Sequence, residues 1–322
     1  MTGKTILVTG AGGFVGRRVV AAFSKDRVIA CDLFPAGQMN LPESHIWEML
    51  DIGKKKAVAD LFNRYAPDIV IHCAGIAHQK IVAVSKTDYF AVNSLSTQTL
   101  AKCAVQANPE VHFVFLSSIS VYGEKHGAMA VKETADCLPT SDYAQSKLDA
   151  EKRLQKLYSS GELKKLDILR LAPVYDRNFC INIEKRVYSP KKLFFLKFGP
   201  GTQRMSVLSR KNLVRFIRFR AGQKLEDRFC EVLNICDKTP CTFKEIIDIF
   251  KQSSLQPGHF TLRIPLFLVK AMVIIAGRIF KARSSWIASC YDKLAKDLVF
   301  DNGKMLETGY RPEDSLRSVF LK

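Results

Sequence analysis

The apolar positions of this chain change period along its length. Residues 4–8 form a short apolar run closed by a glycine turn, the pattern of a buried strand. Residues 17–24 read as a helix, and residues 28–30 as a second strand that ends at Cys31-Asp32. Over residues 54–65 the side chains Val58, Leu61, Phe62 and Tyr65 recur at helical spacing, and Pro67-Asp68 breaks the segment. Residues 69–72 give a strand, 88–107 one long helix stopped by Asn108-Pro109, 111–116 a strand, 143–158 a helix and 167–171 a strand. Strand and helix in alternation predict an α/β fold: a doubly wound parallel sheet with helices on both faces.

After residue 175 the alternation stops. Extended pieces at 193–198 and 231–235 mix with helices at 211–220, 243–251 and 265–280. This predicts a first domain over 1–175 and a smaller C-terminal α+β lobe over 176–322, some of whose segments return to the sheet.

Between the first strand and the first helix, Gly10, Gly13 and Gly16 recur every three residues. A glycine trio alone fits many turns. In this context each glycine serves a separate end: Gly10 the tight turn, Gly13 the close approach of a pyrophosphate, Gly16 the packing of the helix on the sheet. Asp32 ends the second strand, where a carboxylate can accept hydrogen bonds from a ribose diol and repel a 2′-phosphate. That favours NAD over NADP. Asp51-Ile52 follows the region of the third strand and falls where a side chain can lie beside an adenine.

A second constellation lies far downstream. Tyr143 and Lys147 are four residues apart on one helix face, and Ser118 lies just past the strand at 111–116. A free phenol has a pKa of about 10 and is a poor acid–base group near neutrality. A nearby ammonium lowers it, and a serine hydroxyl at the carboxyl edge of a parallel sheet can hold the oxygen whose proton the tyrosine moves. An isolated Tyr-x-x-x-Lys is most often an ordinary amphipathic helix. The serine and the glycine turn together argue for chemistry.

Residues 9–16, Asp32, His72-Cys73-Ala74-Gly75, Val92-Asn93, residues 117–123, residues 143–147 and residues 170–175 follow one pattern. It resembles the extended short-chain dehydrogenase/reductases, most closely their NAD-dependent sugar epimerase/dehydratase branch and the hexosamine 4-epimerases within it. The resemblance implies a Rossmann first domain, NAD as cofactor, and Ser118, Tyr143 and Lys147 as the catalytic triad. It places Gly10, Gly13, Phe14, Val15, Gly16, Asp32, Asp51, Ile52, Ala74, Asn93 and Lys147 on the dinucleotide. Pro173 and Val174 fall on its nicotinamide side, and Ser117 and Ser118 on the substrate.

Two positions depart from the family pattern. Asp176 replaces the usual glycine after the Val-Tyr pair. Met205 stands where a base for the substrate diphosphate is common, so that Arg204, one residue early, is the nearest candidate. By the same resemblance, dehydratases carry an Asp-Glu pair after the serine, and this chain has Ile119 there. The expected activity is therefore 4-epimerisation, through a transient 4-keto sugar, of an N-acetylhexosamine linked to UDP or to polyprenyl diphosphate. The alternative is an NAD(P)H-dependent 4-ketoreductase of a nucleotide-linked deoxysugar. A non-catalytic dinucleotide-binding module that docks on a membrane or nucleic acid is a third reading.

Charge adds a partner. The chain of 322 residues carries a formal net charge of +18. Between Glu184 and Glu226 it has twelve bases and no acid, interleaved with Phe194, Phe195, Phe198, Phe216 and Phe219. A sugar diphosphate needs few of these bases, and the surplus points to an anionic membrane surface. Nucleic acid is set aside because the first half already holds a complete redox site. Residues 265–280 are apolar on nearly every side. The preferred reading is a buried helix of the second lobe, the other an interfacial helix.

No leader-like segment precedes the first strand, and the nine cysteines show no Cys-x-x-Cys spacing and no metal pattern, as expected of reduced thiols in a cytoplasmic protein. Peripheral attachment at the inner face of the membrane would follow from the basic lobe. The helices at 88–107 and 143–158 are the elements expected to pair in a homodimer.

Overall fold

The computed structural model describes residues 3–37, 39, 41–77, 84–123, 129–253, 260–280, 287, 291–292 and 294–321. The chain divides into two compact units. The first holds residues 1–121, 137–170 and 214–233, and the second holds 122–136, 171–213 and 234–322. The division is more interleaved than a single cut near 175: residues 122–136 leave the first half early, and 214–233 come back to it.

The first unit is built on a seven-stranded sheet. Its strands are β1 (Thr5–Thr9), β2 (Arg27–Asp32), β3 (His45–Met49), β4 (Ile69–His72), β5 (His112–Ser118), β6 (Lys165–Leu171) and an edge strand Phe229–Ile235. Their order is edge strand, β6, β5, β4, β1, β2, β3. The pairings β3 to β2, β2 to β1, β1 to β4 and β4 to β5 are all parallel. Strand order reverses between β1 and β4, which opens the crevice where ligands bind in such sheets, at the carboxyl ends of the strands. Those ends carry Gly10, Asp32, Cys73-Ala74 and Ser118.

Helices cover this sheet because each has one apolar stripe. In α2 (Lys55–Tyr65) the stripe is Val58, Leu61 and Phe62, and a left-handed Ala66 ends the helix. Helices α4 (Ser96–Ala107) and α5 (Asp142–Ser159) bury Leu100, Ala101 and Ala104, and Ala150, Leu154 and Leu157, in the same cluster as Leu7, Ile29, Val70, Phe113 and Phe115 of the strands. Helix α1 (Gly16–Ala22) packs Val19 and Val20.

The long helix expected over 88–107 is broken. It starts earlier, as α3 (Lys86–Phe90), behind a Ser85–Asp88 capping box, widens to a π-turn at Ala91–Leu95, and resumes as α4. The π-turn contains Asn93.

The second unit packs Tyr175, Val187, Phe195, Phe243, Ile246, Phe250 and Phe320 into its own core. It contains α6 (Ile181–Val187), the start of α7 (Arg210–Gly222) and α8 (Phe243–Gln252), the last held by a Thr242–Glu245 capping box. A buried network centres on Asp237. Its carboxylate accepts from Ser209 N (2.8 Å), Asn212 Nδ2 (2.7 Å) and the Tyr175 hydroxyl (2.7 Å). Burial pushes Asp237 up to about 6 against the pull of these bonds. Strand Phe195–Phe198 pairs in parallel with Thr261–Ile264, which leads through Pro265 into α9 (Leu266–Ile279).

Two expectations fail here. Segment 265–280 is no buried helix: in α9 only Val269 is buried, and Phe267, Met272, Ile275 and Ile279 stand more than half exposed. The basic run is less one-sided in space than in sequence. Arg204 pairs with Asp297, Arg210 with Asp176, Arg220 with Asp167 and Glu231, and Lys192 with Glu184. Phe195 and Phe216 are fully buried, which removes them from any stacking surface. The eight described cysteines are free, and Cys290 lies outside the described residues.

Candidate active site

The glycine turn is dictated by backbone contact. Gly10 has φ +65°, and a Cβ there would come within 2.8 Å of the Ala74 backbone. At Gly16 a Cβ would meet Gly10 O at 2.0 Å. Gly12 and Gly13 are exposed, and Phe14 and Val15 are half-buried at the entry to α1. Asp32 reaches across to this turn. Its Oδ2 accepts from Gly12 N (2.9 Å) and its Oδ1 from Phe34 N (3.3 Å). A carboxylate held by two backbone donors beside an exposed glycine backbone fits the ribose and pyrophosphate of a dinucleotide. Asp51 is exposed and folded on its own turn, accepting from Gly53 N (2.9 Å), with Ile52 half-buried next to it.

Behind the turn lies a closed polar relay. His72 Nδ1 accepts from Thr9 Oγ1 (2.6 Å), and Nε2 donates to Thr97 Oγ1 (2.8 Å), the tautomer that lets Thr97 in turn donate to Asn93 O (2.8 Å). Burial lowers His72 to about 3, so the ring is neutral. Asn93 ties the next loop down. Its Oδ1 accepts from Ile76 N (2.7 Å), and its Nδ2 donates to Ile76 O (2.9 Å) and Ser146 Oγ (3.0 Å). These bonds hold the segment with Ala74 and Gly75 against α5. Asn93 is wholly buried within the π-turn.

Helix α5 starts at Ser141, whose hydroxyl accepts from Ala144 N (3.2 Å). This cap places Tyr143 in the first turn and Lys147 one turn on. Tyr143 is hydrogen-bonded to Ser118, the last residue of β5. Ser118 Oγ also accepts from Ser120 Oγ (2.8 Å) and Ser120 N (3.2 Å). Ser120 thus holds the Ser118 oxygen by two hydrogen bonds. Sequence reasoning passes Ser120 over, although a Ser-x-Ser at a strand end is a readable signal. Tyr89 of α3 meets the Tyr143 ring edge-on at 6.3 Å.

The electrostatics differ from expectation. Burial raises Tyr143 above the ordinary phenol value, and the Ser118 hydrogen bond is the opposing influence. Lys147 is buried, donates to Leu116 O (2.9 Å) and sits 4.6 Å from the Phe115 ring centroid. Burial brings its ammonium down to about 8, while Cys73 and Glu151 pull it back up.

Ser117 requires a correction. Neighbouring residues of a strand point to opposite faces, so Ser117 faces away from Ser118. It is buried and donates to Glu151, which forms a buried ion pair with Arg170 (2.7 Å). Its hydroxyl belongs to the scaffold and not to a substrate. The Glu151–Arg170 pair gives no signal in sequence beyond two charges in apolar surroundings.

The turn, Asp32, Asp51, Ile52, Ala74, Asn93, Ser118, Tyr143 and Lys147 all belong to the first unit. Pro173, Val174 and Arg204 belong to the second. There, Pro173 O accepts from Leu208 N (3.1 Å) and Val174 pairs with Leu208. Arg204 lays its Nε and Nη2 on Asp297, each at 2.8 Å. That ion pair occupies the guanidinium expected to meet a diphosphate.

A family model, "NAD dependent epimerase/dehydratase family", matches residues 6–236. The chain belongs to this family. NAD is the family's cofactor, and the glycine turn with Asp32 fits it. Among curated relatives, UDP-glucose 4-epimerase of Vibrio cholerae is 31% identical over 220 residues, 66% of this chain and 65% of that one. The dTDP-glucose 4,6-dehydratase of Neisseria gonorrhoeae is 29% identical over 167 residues, 46% of this chain and 48% of that one. The matches thus span about half to two thirds of those enzymes' lengths. The crystal structure of UDP-glucuronic acid 4-epimerase from Bacillus cereus in complex with NAD superposes with a TM-score of 0.73 at 22% identity, covering 98% of this chain and 95% of that one. At that identity the likeness is one of fold. The seven-stranded sheet and its flanking helices form a Rossmann-type fold, the one shared with that structure.

Proposed function

We propose that the protein is an NAD-dependent 4-epimerase of a diphosphate-linked sugar, with an N-acetylhexosamine on UDP or polyprenyl diphosphate as substrate. The observation that carries the reading is the hydrogen bond between Tyr143 and Ser118 at the carboxyl edge of β5, in a chain of this family. Bound NAD would supply reversible acceptance of a hydride. Tyr143 is the group that takes the proton from the sugar's 4-hydroxyl and returns it after the sugar has turned its other face. A phenol kept protonated by burial suits the return step. The forward step calls on the Ser118 hydrogen bond and on the positive charge of Lys147 in the same helix. Gly10, Gly13, Phe14, Val15 and Gly16 would hold the pyrophosphate, Asp32 the adenosine ribose, Asp51 and Ile52 the adenine, and Ala74 and Lys147 the second ribose. Asn93 would act by fixing the loop after β4. Pro173 and Val174 would line the nicotinamide.

Dehydration is disfavoured because Ile119 follows Ser118 where an acid pair would be needed. Ketoreduction with NADPH is disfavoured because the Asp32 carboxylate repels its 2′-phosphate, which leaves an NADH-dependent ketoreductase as the alternative. Attachment at the inner face of the cytoplasmic membrane and a homodimer through α4 and α5 complete the proposal.

The test incubates the purified protein with UDP-linked and polyprenyl-diphosphate-linked N-acetylhexosamines and no added reductant. The C4 epimer should form without net change in absorbance at the NADH band. Tyr143→Phe should lower turnover by about 10²–10⁴-fold. Product that appears only when NADH or NADPH is consumed one for one would replace the epimerase reading with the ketoreductase.

A further inference from the structure

The second unit carries an apolar helix in which only Val269 is buried. Along α9 the positions that turn inward are Leu266, Val269, Val273 and Ala276, at helical spacing, and of these only Val269 is buried. The opposite face is Phe267, Leu268, Met272, Ile274, Ile275 and Ile279, from 46% to 70% exposed. A face of this size left open to water marks an interaction surface. Exposed apolar residues continue before the helix, at Phe260 and Leu262 of the adjoining segment, where Phe260 stacks on Phe194 at 5.0 Å.

Charge decides the occupant. Between Asp248 and Asp292 the chain has no carboxylate, while Lys251, Arg263, Lys270, Arg278, Lys281 and Arg283 are basic. Lys270 and Arg278 lie on α9 itself, both exposed. Just before the helix, Arg263 and Lys197 are direct partners across a parallel strand pair. Like charges opposed in this way repel, and an anionic layer laid over both would relieve that repulsion. Among the described residues none of Lys197, Arg263, Lys270 and Arg278 has an acidic partner. A second copy of the chain would bring the same bases against themselves, since a two-fold contact repeats each patch on its own image. At 14 residues the helix is about 21 Å long, short of the ~30 Å a bilayer core requires, and no helix among the described residues is long and apolar enough to cross a membrane.

We infer that α9 lies in the plane of an anionic lipid surface, with Phe267, Met272, Ile275 and Ile279 in the acyl boundary and Lys270, Arg278, Arg263 and Lys197 at the headgroups. The face that inserts is apolar, Lys270 lies at its edge, and Arg278, on the same face in the last turn of the helix, reaches the phosphates with its long side chain. This rests on the peripheral-membrane part of the proposed function and not on its chemistry. A lipid-borne sugar diphosphate would be met at the surface to which the helix binds.

The experiment is co-sedimentation of the full chain with vesicles of phosphatidylcholine alone and of phosphatidylcholine with phosphatidylglycerol, without sugar substrate, at low and at high salt. The protein should pellet with the anionic vesicles at low salt. Ile275→Gln combined with Phe267→Gln should weaken binding at least about tenfold. Lys270→Ala or Arg278→Ala should each weaken it about fivefold and flatten its salt dependence. Circular dichroism melts confirm that each variant is folded. Equal pelleting with both vesicle types, or none, overturns the inference. So does an oligomer in sedimentation velocity that the double variant dissociates, since a second copy would then occupy the face. Epimerisation of the UDP-linked sugar is measured without vesicles, so either idea can fail while the other stands.

Discussion

Helices α5 and α9 invert the usual rule in opposite directions. The buried face of α5 carries Ser146, Lys147 and Glu151 among its apolar residues, whereas the exposed face of α9 is almost wholly apolar. Burying an ammonium and a carboxylate is costly unless each is hydrogen-bonded or paired, and exposing a run of isoleucines is unfavourable in water. In α5 the compensation is visible: Lys147 bonds to Leu116 O, Glu151 to Arg170 and Ser117, and Ser146 to Asn93. In α9 no compensation lies within the described residues. The polar groups on the buried face of α5 are satisfied inside its own unit, whereas the apolar face of α9 stands in water.

The largest effect that would break this contrast is on α5. Glu151→Ala leaves the Arg170 guanidinium buried without its carboxylate and removes the Ser117 acceptor. Loss of one partner from a buried pair costs about 3 kcal/mol or more. Urea unfolding should show it, and Glu151→Gln, which keeps acceptor atoms in place, should lose less. A loss under about 1 kcal/mol would put Glu151 with ordinary surface carboxylates and weaken the view of α5 as a compensated interior.

A second measurement concerns Lys147. Its ammonium sits at about 8 in the folded chain and returns to 10.5 when the chain unfolds. Below about 8 both states are protonated. Between 8 and 10.5 the unfolded state binds the extra proton, so stability rises with pH across that window. If the charge on Lys147 assists Tyr143, turnover changes the other way and falls about tenfold per pH unit above 8. A pH–rate profile beside urea melts should show activity falling while stability climbs. Turnover that stays level up to pH 10 would remove Lys147 from the proposed chemistry.

These two helices also mark what a sequence can reveal. The alternation of apolar runs is enough for the sheet, since buried parallel strands and amphipathic helices differ in period, and Gly10 and Gly16 announce a turn in which a Cβ has no room. Tyr143, Lys147 and Ser118 are legible through spacing. The π-turn is not, because Ala91–Leu95 has the composition of any helix, and the bond that Asn93 Oδ1 accepts from Ile76 N leaves no mark in the spacing. Ser117 is misread because two adjacent serines look alike until strand alternation sends one to each face. The bases of 185–225 look like a single patch because their acids, Asp167, Asp176, Glu231 and Asp297, are distant in sequence or lie outside the run. For α9 hydropathy shows the composition but not the side of the surface, since an all-apolar helix has the same sequence whether covered or bare.

That last ambiguity has the smallest and sharpest test. Ile275 is 57% exposed at the centre of the outer face of α9, and glutamine keeps its length and is at least as good a helix former. Ile275→Gln should therefore change unfolding free energy by no more than about 0.5 kcal/mol. Leu154→Ala in α5, at a position fully buried, should lose about 2–5 kcal/mol in the same assay. The pair calibrates the comparison within one protein. If Ile275→Gln destabilises on the scale of Leu154→Ala, another part of the chain covers the helix and its apolar face is core. If the change stays near zero while vesicle binding drops, the face contributes nothing to folding, and its isoleucines are accounted for by the surface they meet.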